Sequence, residues 1–276
     1  MDAPTAGGSA APAGTGNVGD ASAPQGRARR GPYRRLPVEQ RREQLIAVAL
    51  ELFSRRAPEE VTLDDVALAA EASRPLVYRY FPGGKQQLYE AALRTAADEL
   101  SSRFTPPPHG GPTQRLGHVL DQYFGFVGEH AAGYAALLRG GSVAETERTT
   151  AIVDQVRRAA HRSILEQLRV SEPGPRLTLL VRSWISVVET TALTWLDDPR
   201  DGVGSAAELR DWLVDEFVAM FAVSALHDPQ TARVLGSMLV GAGAEAGADL
   251  VTRLGSLLAG APAGPPAAVP VGPAPA

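Results

Sequence analysis

Between Pro37 and Gly260, apolar residues recur at helical spacing, and no run alternates apolar and polar positions long enough to form a strand. The pattern predicts an all-α chain. Leu45, Ala49, Leu52 and Phe53 fall at i, i+4, i+7 and i+8 of a first helix over Pro37–Arg56, which Ala57-Pro58 ends. Thr62 is placed to cap a second helix, with Asp65 three residues on and Val66, Ala67 and Ala70 facing inward. Ser73 caps a third helix reaching Tyr80, and Pro82-Gly83-Gly84 makes a turn. A fourth helix runs over Lys85–Phe104 with Leu88, Ala91, Ala92 and Leu93 inward, before a proline-rich stop at Pro106–Pro108.

The second half reads as longer helices. Thr113–Val127 and Glu129–Arg139 are expected to part near Gly128. Ser142 is expected to cap the next helix, with Glu145 at the capping-box position, and Ser171–Gly174 breaks it. Arg176–Leu196 is apolar almost all round, which predicts a buried central helix. Ser205–Leu226 is another helix, and Asp228-Pro229 opens a last, glycine-broken stretch.

Composition narrows the function classes. Cysteine is absent, which excludes a disulfide framework, a thiolate nucleophile and a Cys-ligated metal. The stretch before Gly31 lacks the apolar core of a signal peptide, and the most apolar run, Leu177–Leu196, carries Arg182 and Glu189. The expectation is a cytoplasmic protein with no membrane partner. Gly140-Gly141-Ser142-Val143-Ala144 lacks the last glycine of a nucleophile elbow, and Gln86 stands where a P-loop needs Ser or Thr. The five histidines show no metal spacing. No catalytic residue, metal or cofactor is therefore expected, and no enzyme.

Charge is unevenly spread. The chain carries a formal −4. Residues 27–85 hold twelve cationic side chains against eight carboxylates, net +4, which leaves −8 for the remainder. A basic module on an acidic body is the electrostatic footprint of nucleic-acid binding. Lys85 is the only lysine.

The segment Thr62–Lys85 concentrates this chemistry. Two short helices joined by a tight turn fit a helix-turn-helix, whose second helix reads base edges with its N-terminal half. That half holds Arg74, able to donate bidentately to guanine, with Pro75 and Leu76 for apolar contact. Tyr78 follows on the same face, four residues after Arg74. Thr62, Arg79, Tyr80 and Lys85 suit phosphates. The competing reading of each aromatic is ordinary core, and Phe81 is expected to pack under the first helix. The arginines of Arg27–Arg35 form a basic arm for an adjacent minor groove, or a solubilising cluster on a tail.

These residues carry a resemblance. Leu45–Leu88 is similar to the DNA-binding domain of the tetracycline-repressor (TetR) family of bacterial regulators. The matching features are Val48–Phe53, Thr62 ahead of Val66-Ala67, Ser73 leading to Tyr78-Arg79-Tyr80-Phe81, and Lys85 followed by Leu88. The resemblance implies base-edge contacts from Arg74, Pro75 and Tyr78. It implies phosphate contacts from Thr62, the Leu76 backbone, Arg79, Tyr80 and Lys85, beside the capping Ser73. It further implies a ligand-responsive homodimer, a repressor released from a palindromic double-stranded DNA operator by a small-molecule effector. The expected organisation is a disordered tail at 1–31, a helix-turn-helix domain at 32–104, a regulatory and dimerisation domain at 113–260, and a disordered tail at 261–276. Glu71 stands where the family has glycine in the turn. If the turn needs a positive φ at Glu71, that costs about 1 kcal/mol or more.

Candidate ligand-binding residues are Tyr123, Phe126, Tyr134, Trp184, Glu189 and Thr191, aromatic walls with a few polar groups. The alternative function is a helical small-molecule-binding or interaction protein with impaired DNA binding, for which the Glu71 carboxylate is the sign.

Overall fold

The apolar stripe of the first helix organises one end of the molecule. Leu45, Ile46, Ala49 and Phe53 are the buried edge of α1 (Val38–Arg55). The structure, a computed structural model, describes residues 37–107, 109–139, 146–197, 202–241, 250–256 and 259. After α1 comes a single 3₁₀ turn at Pro58–Glu60, then α2 (Leu63–Ala69), α3 (Arg74–Tyr80) and α4 (Gly84–Arg103). Val61, Val66, Ala70, Val77, Phe81 and Leu88 close over Leu45 and Ala49 as one core. Phe81 is buried as expected, with the Arg42 guanidinium 5.5 Å from its ring centre.

Six further helices follow: α5 (Pro112–Glu129), α6 (Ala131–Leu138), α7 (Glu147–Gln167), α8 (Pro175–Asp197), α9 (Ala206–Ala225) and α10 (Pro229–Gly241). Residues 250–256 form another short helical run, and no strand occurs among the described residues. A second core is built from α4, α5, α8 and α9, with Leu120, Phe124, Leu177, Val181, Trp184 and Phe217 at its heart. The two cores nonetheless belong to one body among the described residues from Val38 onward. The reason lies in two helices. α4 gives Leu88, Tyr89 and Ala92 to the first core and Ala96, Leu100 and Phe104 to the second. Leu50 of α1 packs against both. α6 also crosses α1 so closely that a Cβ added at Gly133 would lie 2.8 Å from the Phe53 carbonyl oxygen.

Several expectations need correction. α5 does not break at Gly128; the break falls at His130, whose amide still donates to the Phe126 carbonyl at 3.0 Å. A helical glycine costs about 1 kcal/mol relative to alanine, and the burial of Phe124, Phe126 and Val127 outweighs that. The helix expected to start at Ser142 begins at Glu147, capped by the Thr146 hydroxyl, which accepts from the Thr149 amide. α8 is not buried all round. Leu179, Ser183, Ser186, Thr190 and Thr194 form an exposed stripe along it. Short hydroxylated side chains satisfy an apolar pattern without being enclosed. Ser142, the segment 140–144, the arm Arg27–Arg35 and both tails lie outside the described residues.

Candidate nucleic-acid interface and interior cavity

The start of α2 is fixed by a reciprocal cap. The Thr62 hydroxyl accepts from the Asp65 amide at 3.1 Å, and the Asp65 carboxylate accepts from the Thr62 amide at 2.8 Å. Hydrogen bonds from the Thr62 backbone and then its hydroxyl, with the Arg56 charge behind them, hold the Asp65 carboxyl below the usual carboxylate range. The chain then leaves α2 through Glu71 at φ +49°, in the left-handed region that glycine favours. The Ala72 amide closes the turn on the Ala67 carbonyl at 2.8 Å.

α3 is only seven residues long, and its faces divide cleanly. Val77 points into the core, while Ser73, Arg74, Pro75, Tyr78 and Arg79 are exposed and Leu76 and Tyr80 are half-buried. Ser73 occupies the cap position, though its side chain makes no capping hydrogen bond. Arg74 donates to the Asp64 carboxylate at 2.9 Å and lies 5.8 Å from the centre of the Tyr78 ring. Gly84 turns the chain into α4 at φ +68°, where a side chain would be strained. Lys85 then sits in the first turn of α4, with Nζ donating to the Glu59 carbonyl at 3.2 Å. The nine residues read as DNA-facing from the sequence therefore all keep accessible surface on α2, α3 and the start of α4.

A cavity of about 160 Å³ opens between the two cores. Leu50 and Phe53 of α1 and Tyr89 and Leu100 of α4 line it on one side. Val156 and Trp184, from α7 and α8, line it on another. Five of the six sequence candidates meet there: Tyr123, Phe126, Tyr134, Trp184 and Glu189. Thr191 does not. Its hydroxyl donates to the Val187 carbonyl at 2.8 Å, and it borders a shallow groove between α8 and α9 instead. Trp184 spends its indole N–H on the Leu213 carbonyl at 3.2 Å, so it serves the cavity as an apolar wall.

The polar lining is sparse and specific. The Tyr123 and Tyr134 hydroxyls share a buried hydrogen bond. Burial raises both phenol pKa values well beyond their ordinary value, so both stay protonated across the physiological range. Arg157 meets Glu189 through Nε at 2.9 Å and Nη2 at 3.0 Å, and meets Asp154 through Nη1 at 3.3 Å. Sequence reasoning missed Arg157, because its partner is 32 residues away and nothing in α7 marks which charge turns inward. It also missed His130, whose buried Nδ1 has no hydrogen-bond partner and whose pKa burial lowers.

Glu99, Glu129 and His130 bring possible ligand atoms within 4.8 Å of one another. Arg103 donates to both carboxylates, so their charge is already met by an internal cation.

The exposed stripe of α8 is continued by Trp212 and Val223 on one face of α9 and by Leu226 just past its end, which are 47%, 59% and 79% accessible. With Leu179, they are large apolar side chains left open in a single chain.

Similarities to known proteins fall on both ends. Residues 45–92 match the model for bacterial regulatory proteins of the tetR family, and residues 112–220 match the tetracyclin repressor-like C-terminal domain. A tetR-family transcriptional regulator from Streptomyces coelicolor is 50% identical, with a TM-score of 0.73, covering 81% of this chain and 100% of that one. The HTH-type transcriptional activator FasR of Mycolicibacterium smegmatis is 32% identical over 126 residues, which is 45% of this chain and 56% of that protein. The HTH-type transcriptional repressor KstR of Rhodococcus jostii is 27% identical over 158 residues, 57% of this chain and 74% of that protein. No helix among the described residues is long and apolar enough to cross a membrane.

Proposed function

The chain belongs to the TetR family of helix-turn-helix transcription regulators, and we propose that it works as a homodimer released from a palindromic operator by a small molecule that fills the interior cavity. One observation carries this reading. The cavity is bounded on one side by Leu50 and Phe53 of α1, the helix whose buried edge holds α3 in place. An occupant therefore touches the support of the helix that would lie in the groove.

Arg74, Pro75 and Tyr78 are assigned to base edges, and Thr62, the Leu76 backbone, Arg79, Tyr80 and Lys85 to phosphates, with Ser73 starting the helix. The open faces of α8 and α9 are assigned to the two-fold interface, which a dimer needs to present two α3 helices to successive turns of DNA. The N-terminal four helices then serve DNA and the rest serves control. Release needs an effector that prefers the spacing of α3 helices unable to bridge both half-sites; equal affinity for both spacings shifts nothing.

The test is gel-shift titration of the purified chain against DNA from upstream of its own gene at several salt concentrations. Sequence-preferring binding that weakens steeply with salt is expected. Equal, weak binding to every sequence would overturn the reading in favour of a small-molecule binder without an operator.

A further inference from the structure

The cavity's polar groups say what kind of molecule fits it. Resting on the cavity being the effector site, we infer that the ligand is an electrically neutral, apolar molecule carrying one carbonyl group, an ester, thioester or ketone, rather than a free carboxylate or an amine.

The charges of the lining are already spent. Each of the three guanidinium nitrogens of Arg157 has a carboxylate partner, Nε and Nη2 on Glu189 and Nη1 on Asp154. Arg103, beside the lining residue His130, is likewise engaged with Glu99 and Glu129. The single charge of Arg157 is matched by two carboxylates, so an incoming anion meets a cluster that is already net negative. Glu189, bound two-pronged by Arg157, is equally closed to an incoming cation. Either ion would have to break a pair that is part-buried, and would leave its former partner uncompensated.

What remains open is hydrogen-bonding capacity of a neutral kind. Two phenols that share one hydrogen bond use one O–H as donor and leave the other hydrogen free. Neither hydroxyl has another partner among the described residues. The Tyr pair therefore offers one donor to the cavity and cannot ionise to lose it. A ligand with a neutral hydrogen-bond acceptor at one end meets the open O–H of the Tyr pair, and a carbonyl oxygen is such an acceptor, with its lone pairs exposed and no charge. The rest of the lining is aliphatic and aromatic. A volume near 160 Å³ is close to that which takes a benzene-sized guest in an apolar interior, so the ligand body is a single ring or a chain of roughly six to ten carbons.

The experiment uses four linear probes of similar length: methyl octanoate, octanoate, octylamine and nonane. Binding to the full chain is followed by intrinsic tryptophan fluorescence and by thermal shift at pH 8. Methyl octanoate is expected to bind about three- to tenfold more tightly than nonane. Octanoate and octylamine are expected to bind about tenfold or more weakly than the ester. The double variant Tyr123→Phe with Tyr134→Phe is expected to reduce the ester to the affinity of nonane, with nonane unchanged. Glu189→Gln is expected to improve octanoate about tenfold, because it frees an edge of Arg157. Octanoate or octylamine binding as tightly as the ester to the unaltered chain would overturn the inference. So would an ester preference that survives the double variant, or failure of all four probes to bind. The gel shift separates this from the effector reading. Ester binding that leaves the DNA complex intact refutes release by ligand and sustains the ligand class; operator release by octanoate does the reverse.

Discussion

The Arg74 guanidinium is tied to the Asp64 carboxylate at 2.9 Å across the turn that joins α2 to α3. Both side chains are more than half exposed, so the pair adds little to stability. Its effect is to aim Arg74, which also rests over Tyr78. Arg74→Ala should lower operator affinity about five- to a hundredfold with an unchanged melting temperature. Asp64→Ala should give a smaller loss of sequence preference, because the guanidinium keeps its charge and loses its direction. Competition gel shifts against single-base operator variants measure both; equal discrimination in the Asp64 variant and the unaltered chain would refute the aiming role.

Glu71 occupies a left-handed conformation that glycine holds without penalty. Glu71→Gly should stabilise the chain by about 0.5–1 kcal/mol, visible as a higher melting temperature. It also removes a negative charge next to α3, so binding to unrelated DNA should tighten and its salt slope steepen. A β-branched residue at the same place should destabilise instead.

The cap of α2 makes an acid-sensitive contribution. The Asp65 carboxyl is depressed in the folded chain by the Thr62 amide, then the Thr62 hydroxyl, then Arg56. Its stabilisation is complete above the ordinary carboxylate pKa and is lost as pH falls through the depressed value. Thr62→Ala should lower the melting temperature by a few degrees at pH 7. That gap should close in strong acid, as urea unfolding at the two pH values would show.

Gly133 faces the Phe53 carbonyl with no room for a side chain. Gly133→Val should cost about 1–3 kcal/mol by forcing α6 off α1. Because α6 carries Tyr134 and α1 carries Phe53, both cavity residues, the variant should also weaken binding of any cavity ligand. Isothermal titration beside thermal unfolding separates the two effects.

The faces of α8 and α9 should pair. Trp212→Arg combined with Val223→Arg should convert a dimer to a monomer in sedimentation and remove tight operator binding, while the far-ultraviolet helical signal persists. A chain that sediments as a monomer before substitution would refute the interface.

Much of the first half was legible in sequence because its signals are local. The Thr62–Asp65 cap and the turn at Glu71 each depend on residues a few positions away. The second half was harder because its decisive relations are long-range. The Arg157–Glu189 pair, the meeting of Tyr123 with Tyr134 and the orphaned His130 nitrogen arise only when α5, α6, α7 and α8 are packed together. Thr191 was misplaced for a related reason. In an apolar helix a threonine can face either side at equal apparent cost, and its hydroxyl settled on its own backbone. Gly128 misled because glycine marks a break only when packing permits one.

Lys85 has a practical consequence. It is the sole amine-bearing side chain in the sequence, and it stands in the first turn of α4 beside the Glu59 carbonyl. An acylating reagent, chemical or enzymatic, therefore has one internal target in the whole polypeptide. Its rate of modification becomes a single-channel footprint of whatever covers that edge.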